Sequence, residues 1–287
     1  MVNDGYSRNL TPGEVFARFR DLPEWRTLVE QCYYDNDLLL AARRFYHSEE
    51  FRAVIEIARP RNSIPPYQIL DLGGGNGVSS ISWFWAGHNP VLVEPDCDEI
   101  VGIGALKKGS ITGGLKIRVC RALGQRLPFA EKYFDIVYLR QVLHHIADLE
   151  TVCSELRRVL KPGGLIIATR EHVISNAGEL ISFLDNHPVH RFTGGEHAYR
   201  IRDYRSAIRK AGFKHIRILG SWATVINYYP TIKEEFALKC YQILQRLFNQ
   251  TIARSLLQKE SVLTFLGRCF SIWDRTPGRM YSFIAEA

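Results

Sequence analysis

The sequence holds no run of apolar residues close to the roughly 18 that a membrane-spanning helix needs, and its start, Met1 to Leu10, is polar and lacks the apolar stretch of a signal peptide. These two absences predict a cytoplasmic protein with no transmembrane segment. The six cysteines (Cys32, Cys97, Cys120, Cys153, Cys240, Cys269) form no Cys-x-x-Cys pair and have no histidine cluster beside them, which predicts reduced, mostly structural thiols and no metal site. Blocks of like charge are also missing: 37 Lys and Arg against 30 Asp and Glu leave a formal charge of +7, spread along the chain. That balance favours an acidic partner but does not choose among nucleic acid, an anionic membrane surface and a phosphorylated substrate. Neither an internal repeat nor a low-complexity tract is present, and 46% hydrophobic with 23% charged residues over 287 is ordinary globular composition.

Residues 1–66 read as a helical N-terminal cap. Thr11-Pro12-Gly13-Glu14 is a capping box with proline at the first helical position, and Ser48-Glu49-Glu50 opens the run Phe51, Val54, Ile55, Ala58 at helical spacing. Pro65 and Pro66 lead into a first strand at 68–72. Short apolar runs then alternate with helical patterns: a helix near 77–87, strand 91–93, a helix near 98–106, strands 115–119 and 134–139, a helix at 148–160 closed by Lys161-Pro162-Gly163-Gly164, and strand 165–169. This alternation predicts an α/β fold, a doubly wound Rossmann-like sheet that is mostly parallel, with ligands at the carboxyl ends of the strands. The core is expected over 67–222, with a helix ending near Ala211 and a strand at 213–219. A helical lid, amphipathic over 231–272, is expected as an insertion at 223–275, before a last, antiparallel strand in 276–287.

The stretch "ILDLGGGNGVSS" (69–80) carries the strongest local signal. A dinucleotide-binding turn needs G-x-G-x-x-G, and counting from Gly73 or Gly75 puts Val78 or Ser80 where the third glycine belongs. A dehydrogenase is therefore disfavoured. The actual pattern is Asp71-x-Gly73-x-Gly75-x-Gly77, with a carboxylate at the strand end that would repel pyrophosphate and attract a cation.

With "VLVEPD" (91–96), "LPFAEKYFDIVYLRQVLHH" (127–145) and "LRRVLKPGGLIIATRE" (156–171) following in order, the chain resembles the class I S-adenosylmethionine-dependent methyltransferases. The resemblance covers 68–171 well, 199–219 moderately and the helical regions hardly at all. It implies S-adenosylmethionine as cofactor and S-adenosylhomocysteine as product. Gly73, Gly75 and Gly77 would form the turn against the ribose and methionine part, Asp71 would meet the ammonium end and Glu94 the ribose hydroxyls, with Arg140 also on the cofactor rim. Many relatives carry an acidic residue four positions before the "LPF" leucine for the adenine amino group; this chain has Leu123 there, which leaves Gly124 and Gln125 as the adenine contacts. Trp83 and Trp85, after the turn, read as core.

Methyl transfer needs in-line approach, exclusion of water and in some cases a base. The strand ends offer His144, His145, Glu171 and His172 as catalytic candidates. Because successive helical residues diverge by about 100°, at most one of His144 and His145 is expected to act. Gln141, with His190, Arg191, His197 and Arg202 from the loop "HPVHRFTGGEHAYRIRDY" (187–204) and His187 and Arg200 beside them, form an expected pocket for a small-molecule or carbohydrate acceptor that is plausibly anionic. The loop has a faint likeness to methyltransferases of bacterial glycan and natural-product pathways, which favours O-methylation of a sugar or sugar-bearing metabolite or glycan precursor. "IPPY" (64–67) lacks the Asn and the position of the loop that methylates nucleobase amines, and no nucleic-acid-binding module is visible, so nucleic acid is an unfavoured partner. RNA or protein methylation, a non-catalytic cofactor-binding protein, and peripheral membrane contact through Lys239, Arg246 and Arg254 stay open, and oligomeric state is unassigned.

Overall fold

The computed structural model describes residues 10–228 and 233–287. The polar start read at Met1 to Leu10 therefore falls, up to residue 9, outside the described residues, as do the first two positions of the amphipathic stretch 231–272.

Strand alternation in the sequence becomes one sheet of eight strands: β1 (Gln68–Leu72), β2 (Asn89–Val93), β3 (Arg118–Cys120), β4 (Phe134–Arg140), β5 (Leu160–Ile174), β6 (Tyr199–Arg200), β7 (Lys214–Leu219) and β8 (Arg279–Glu286). The order is β3-β2-β1-β4-β5-β8-β7, with β6 paired to β5. β1 to β6 pair in parallel, while β8 runs antiparallel between β5 and β7. Successive strand residues point to opposite faces and both faces are covered, which explains the near-continuous apolar runs.

The helices are α1 (Pro12–Arg20), α2 (Arg26–Cys32), α3 (Leu38–Tyr46), α4 (Glu49–Ile57), α5 (Val78–Trp85), α6 (Ile103–Gly113), α7 (Leu149–Val159), α8 (Ala177–Asn186), α9 (His190–Thr193), α10 (Ile201–Lys210), α11 (Lys233–Leu244), α12 (Gln250–Leu257) and α13 (Glu260–Trp273). Leu70, Val137, Leu139 and Ile166 pack on α7 and α10 through residues such as Leu156 and Ile208. Ile69, Ile136, Tyr138 and Ile167 pack on the opposite face against Phe45, Phe51, Ile81 and Trp83. Trp83 is fully buried in that core.

Several boundaries move for local reasons. Thr11 and Ser48 cap α1 and α4 as their residue types predict. The helix expected near 98–106 starts later, at Ile103, because the Asp98 carboxylate accepts hydrogen bonds from the N–H groups of Ile100 and Val101 and holds a turn there. The third strand is shorter than expected and shifted to 118–120. After α7 the chain does not remain in a loop: Leu160 already pairs with Phe134, so β5 includes Lys161-Pro162-Gly163-Gly164 and has a register irregularity before Leu165.

A buried ion cluster ties the N-terminal helices to the sheet. Glu50, in the first turn of α4, accepts from Arg140 at 2.7 and 3.2 Å and from Arg170 at 2.8 Å. Burial opposes charge on Glu50, yet the two guanidinium groups win and hold its carboxyl below its ordinary value. Glu50→Ala should cost about 3–5 kcal/mol, because it leaves charge in the interior without its carboxylate partner. Urea denaturation should show a lower midpoint for the variant, and the deficit should shrink as the pH falls and the wild-type carboxyl protonates.

Candidate functional site

The carboxyl ends of β1, β2, β4 and β5 open into a cleft of about 790 Å³, a size suited to a cofactor or drug-sized ligand. Its floor is the turn after β1. Gly73 and Gly75 have φ of +64° and +54°, a region that L side chains rarely adopt. A Cβ on Gly74 would lie 2.6 Å from Asp71 Oδ2, so the turn lies directly over that carboxylate. Asp71 is fully buried: Oδ2 accepts from the Ser80 hydroxyl at 2.6 Å, and Oδ1 has no partner. Burial raises its pKa to about 7 against the lowering effect of Ser80. Gly77 caps α5 in a left-handed conformation and packs against Leu106; neither it nor Asp71 is part of the cleft wall.

Glu94, at the end of β2, lines the cleft and accepts from the N–H of Gly75 and of Asp96, both at 3.0 Å. Its pKa is raised by burial against those two hydrogen bonds. Leu123, Gly124 and Gln125 form the wall beyond it, Leu123 at 60% exposure being a large apolar surface open to the cleft. Arg140 and Gln141 follow at the end of β4, Gln141 with φ +59°.

The opposite end of the cleft is built by an irregularity in β5. Pairing with β8 shifts between Ala168 and Glu171, and Arg170 adopts φ +59°. A bulge of this kind re-aims the residues that follow it, here Glu171 and His172. The fully buried Glu171 carboxylate accepts from the N–H of Val142 at 3.1 Å, the N–H of His144 at 3.0 Å and His144 Nδ1 at 2.7 Å. His144 and His145 lie in a short 3₁₀ turn, and their rings are drawn together, with centroids 4.1 Å apart, as His144 bonds to Glu171 and His145 to Gly195 O. The expected divergence of the two therefore does not occur. The His172 ring lies 4.7 Å from that of His144 and 5.5 Å from that of His187.

Glu196 completes this end. Its Oε2 lies 3.6 Å from His144 Nε2 and 3.8 Å from His145 Nε2. Burial alone would lower the His144 pKa, but contacts with Glu171 and then Glu196 raise it to about 9. Burial and the charge on His144 push His145 down and His172 well down. Against the effect of burial, the surrounding imidazoles hold Glu196 well below the ordinary carboxylate range.

Not all predicted residues meet here. Arg191 and Arg202 are exposed, the first bonding Asp185 O and the second near Asp203, and neither lines the cleft. Arg200 pairs with Asp203. His190 accepts from the Glu196 N–H, and His197 stacks on Tyr199 in a separate, shallower depression. The expected anionic pocket of clustered arginines is thus not assembled. The cover also differs from expectation. No residue of α11, α12 or α13 lines the cleft; these helices pack around Phe236 and Cys240. The cleft is roofed by α1 and α2, within the expected N-terminal helical cap; their Phe16, Phe19 and Val29 join Val189 and Phe192 in one apolar cluster.

Sequence reasoning missed Cys32, Tyr33, Tyr34, Asn76 and Glu196 as cleft residues, and Glu50 behind the wall, whereas His187, expected in the acceptor pocket, does line the cleft. It also expected no group of metal-ligating side chains, whereas the fold brings one together at Glu196. One signal was available: the dipeptide Glu-His occurs at 171–172 and again at 196–197.

Residues 70–168 match the family described as "Methyltransferase domain". An uncharacterized methyltransferase of Mycobacterium tuberculosis is 37% identical over 160 residues, 54% of this chain and 59% of that protein. A ubiquinone/menaquinone biosynthesis C-methyltransferase of Acidiphilium cryptum is 35% identical over 132 residues, 45% of this chain and 49% of that one. The chain thus spans less than two thirds of the length of these curated relatives. Among solved structures, Haemonchus contortus phosphoethanolamine N-methyltransferase 2, crystallised with S-adenosyl-L-methionine, superposes with TM-score 0.54 at 18% identity over 95% of this chain and 59% of that one. The (4+2)-cyclase SpnF superposes with TM-score 0.53 at 18% identity over 82% and 80%. Both likenesses concern the fold.

The geometry makes a prediction about Asp71 itself. An acid whose folded pKa lies above its unfolded value loses stability as pH rises between the two. Asp71→Asn should therefore raise the urea midpoint at pH 8 relative to wild type, with the gain fading towards pH 4. Equal midpoints at pH 8 would mean that the buried carboxyl carries no such penalty.

Proposed function

From a chain that carries, over residues 70–168, a methyltransferase domain of the class I S-adenosylmethionine-dependent family, we propose an enzyme that methylates a hydroxyl of a small or medium polar acceptor, a sugar or sugar-bearing metabolite being the preferred class. The carrying observation is the pairing of the unpartnered, buried Asp71 Oδ1 with the glycine turn above it. An anionic atom without a donor in the interior is costly, and the ammonium of an amino-acid ligand on the turn supplies the missing positive charge. The residues fit the cofactor elsewhere as well. Glu94 retains acceptor capacity for two ribose hydroxyls, Leu123 and Gly124 offer a face to adenine, and Arg140 suits the carboxylate. When bound, S-adenosylmethionine supplies an electrophilic methyl group on a sulfonium.

The protein's own residues account for the rest. The aromatic roof of α1, α2 and α9 excludes water from the cleft. The His172 Nδ1 hydrogen is spent on Gly278 O at 2.7 Å, so Nε2 holds the lone pair. Kept neutral by burial, this imidazole takes the proton that an acceptor hydroxyl releases. Glu171 acts through His144, fixing the turn that carries both adjacent rings.

Calorimetric titration tests this reading. S-adenosylhomocysteine should bind at micromolar concentration while NAD should not, and Glu94→Ala should weaken binding roughly 10- to 100-fold, the loss expected for charge-assisted hydrogen bonds of about 1.5–3 kcal/mol. An unchanged dissociation constant in the variant would remove Glu94 from the site. With a labelled methyl donor, hydroxyl-bearing acceptors should take label and simple amines should not; the reverse would overturn the acceptor class.

A further inference from the structure

We infer that the acceptor end of the cleft is a binding site for one divalent transition-metal ion of the zinc class, held by His144 Nε2, His145 Nε2 and the Glu196 carboxylate. This goes beyond methyl transfer and does not depend on it. The ligating atoms of these three residues all lie within 4.8 Å of one another. The two nitrogens stand 3.6 and 3.8 Å from Glu196 Oε2. A tetrahedral ion with bonds of about 2.0–2.1 Å sets its ligand atoms roughly 3.4 Å apart, so a closure of a few tenths of an ångström brings both nitrogen–carboxylate distances to that value.

Hydrogen bonding on the far sides of the rings points the same way. His144 Nδ1 is tied to Glu171 Oε2 at 2.7 Å and His145 Nδ1 to Gly195 O at 3.2 Å. Each ring therefore carries a hydrogen on Nδ1 and turns Nε2 towards the carboxylate, with a lone pair there on neutral His145 and, once its Nε2 proton leaves, on His144. The first contact is a carboxylate–histidine pair of the kind that orients metal ligands and raises their basicity. Glu196 Oε2 is buried without any hydrogen-bond partner. Lone pairs converging on a buried carboxylate oxygen repel one another unless a cation lies between them. A proton on His144 Nε2 satisfies one of these contacts; a divalent ion satisfies all of them.

His172 and His187 form a second triplet with the same carboxylate. The Nδ1 of His187 accepts the His190 N–H at 3.3 Å, which leaves its hydrogen on Nε2 and makes it the poorer ligand. Two imidazoles and one carboxylate leave a fourth position open, as in catalytic and not structural zinc sites. The ligand class for that position is an oxygen donor: water, or a hydroxyl or carboxylate of the acceptor. Binding releases the His144 Nε2 proton to solvent.

The test uses the full chain, stripped with a chelator and dialysed, titrated with Zn²⁺ in competition with a chromogenic chelator and separately with Co²⁺ followed by its visible spectrum. One equivalent should bind, with a four- or five-coordinate cobalt spectrum free of thiolate charge transfer. Glu196→Gln and His145→Ala should abolish that equivalent, and Glu171→Gln should weaken it about 10- to 100-fold. S-adenosylhomocysteine titration of the same samples reports whether each variant is folded. No stoichiometric binding to the stripped wild type, or one equivalent that survives Glu196→Gln in a variant that still binds S-adenosylhomocysteine, would overturn the metal site and leave the methyltransferase reading intact. Metal binding with no S-adenosylhomocysteine binding would support the metal site and overturn that reading.

Discussion

The histidine end of the cleft depends on one carboxylate. Glu171, fully buried where β5 resumes after its bulge, receives two backbone N–H groups and one imidazole N from the segment that leaves β4. Those bonds add to the turn's own backbone hydrogen bond, from the His145 N–H to Val142 O, and anchor residues 142–144 to β5. Charge-assisted bonds of this type are individually worth about 1.5–3 kcal/mol, and here three fall on one group shielded from water. They turn a strand end, normally a permissive loop, into a rigid wall.

Around that wall the fold distributes charge unevenly. At the β1 end a single buried carboxyl, Asp71, lies under a backbone turn and lacks a partner on one oxygen. Behind the middle of the cleft Glu50 answers two arginines. At the far end Glu196 is surrounded by imidazoles. A ligand with a cationic and a hydroxyl-rich portion suits the first region, and an acceptor with oxygen donors suits the last. Asp71 and Glu171 are fully buried, which strengthens the electrostatic contacts each makes.

The glycine-turn end of the cleft was legible in the sequence because its determinants are local: an apolar strand, an acid, alternating glycines and a second acid after the next strand, all within 69–94. The α/β order was legible for the same reason, since strand and helix periods differ. The histidine end was legible only in part: His144, His145, Glu171, His172 and His187 were expected at the site, but how they meet, and that Glu196 joins them, depends on the parallel pairing of β4 and β5 and on the irregularity before Glu171. No propensity marks Arg170 or Gln141 for a left-handed conformation that L residues seldom take. The adjacent histidines were misjudged because the bonds that draw their rings together, His144 to Glu171 and His145 to Gly195, are long-range and do not show in backbone spacing. The inserted helices were expected to roof the cleft and do not. Amphipathic patterning shows that a helix has something to cover, and in α11–α13 that is its own cluster around Phe236, whereas α1 reaches the cleft through Phe16 and α2 through Leu28 and Cys32.

A crystal structure of the protein grown with S-adenosylhomocysteine tests the central claim most directly. The account predicts the ribose against Glu94, the amino-acid end over Asp71 and the glycine turn, and the sulfur directed towards the histidine end of the cleft. Density for the ligand outside this cleft, or with its ribose remote from Glu94, would contradict it.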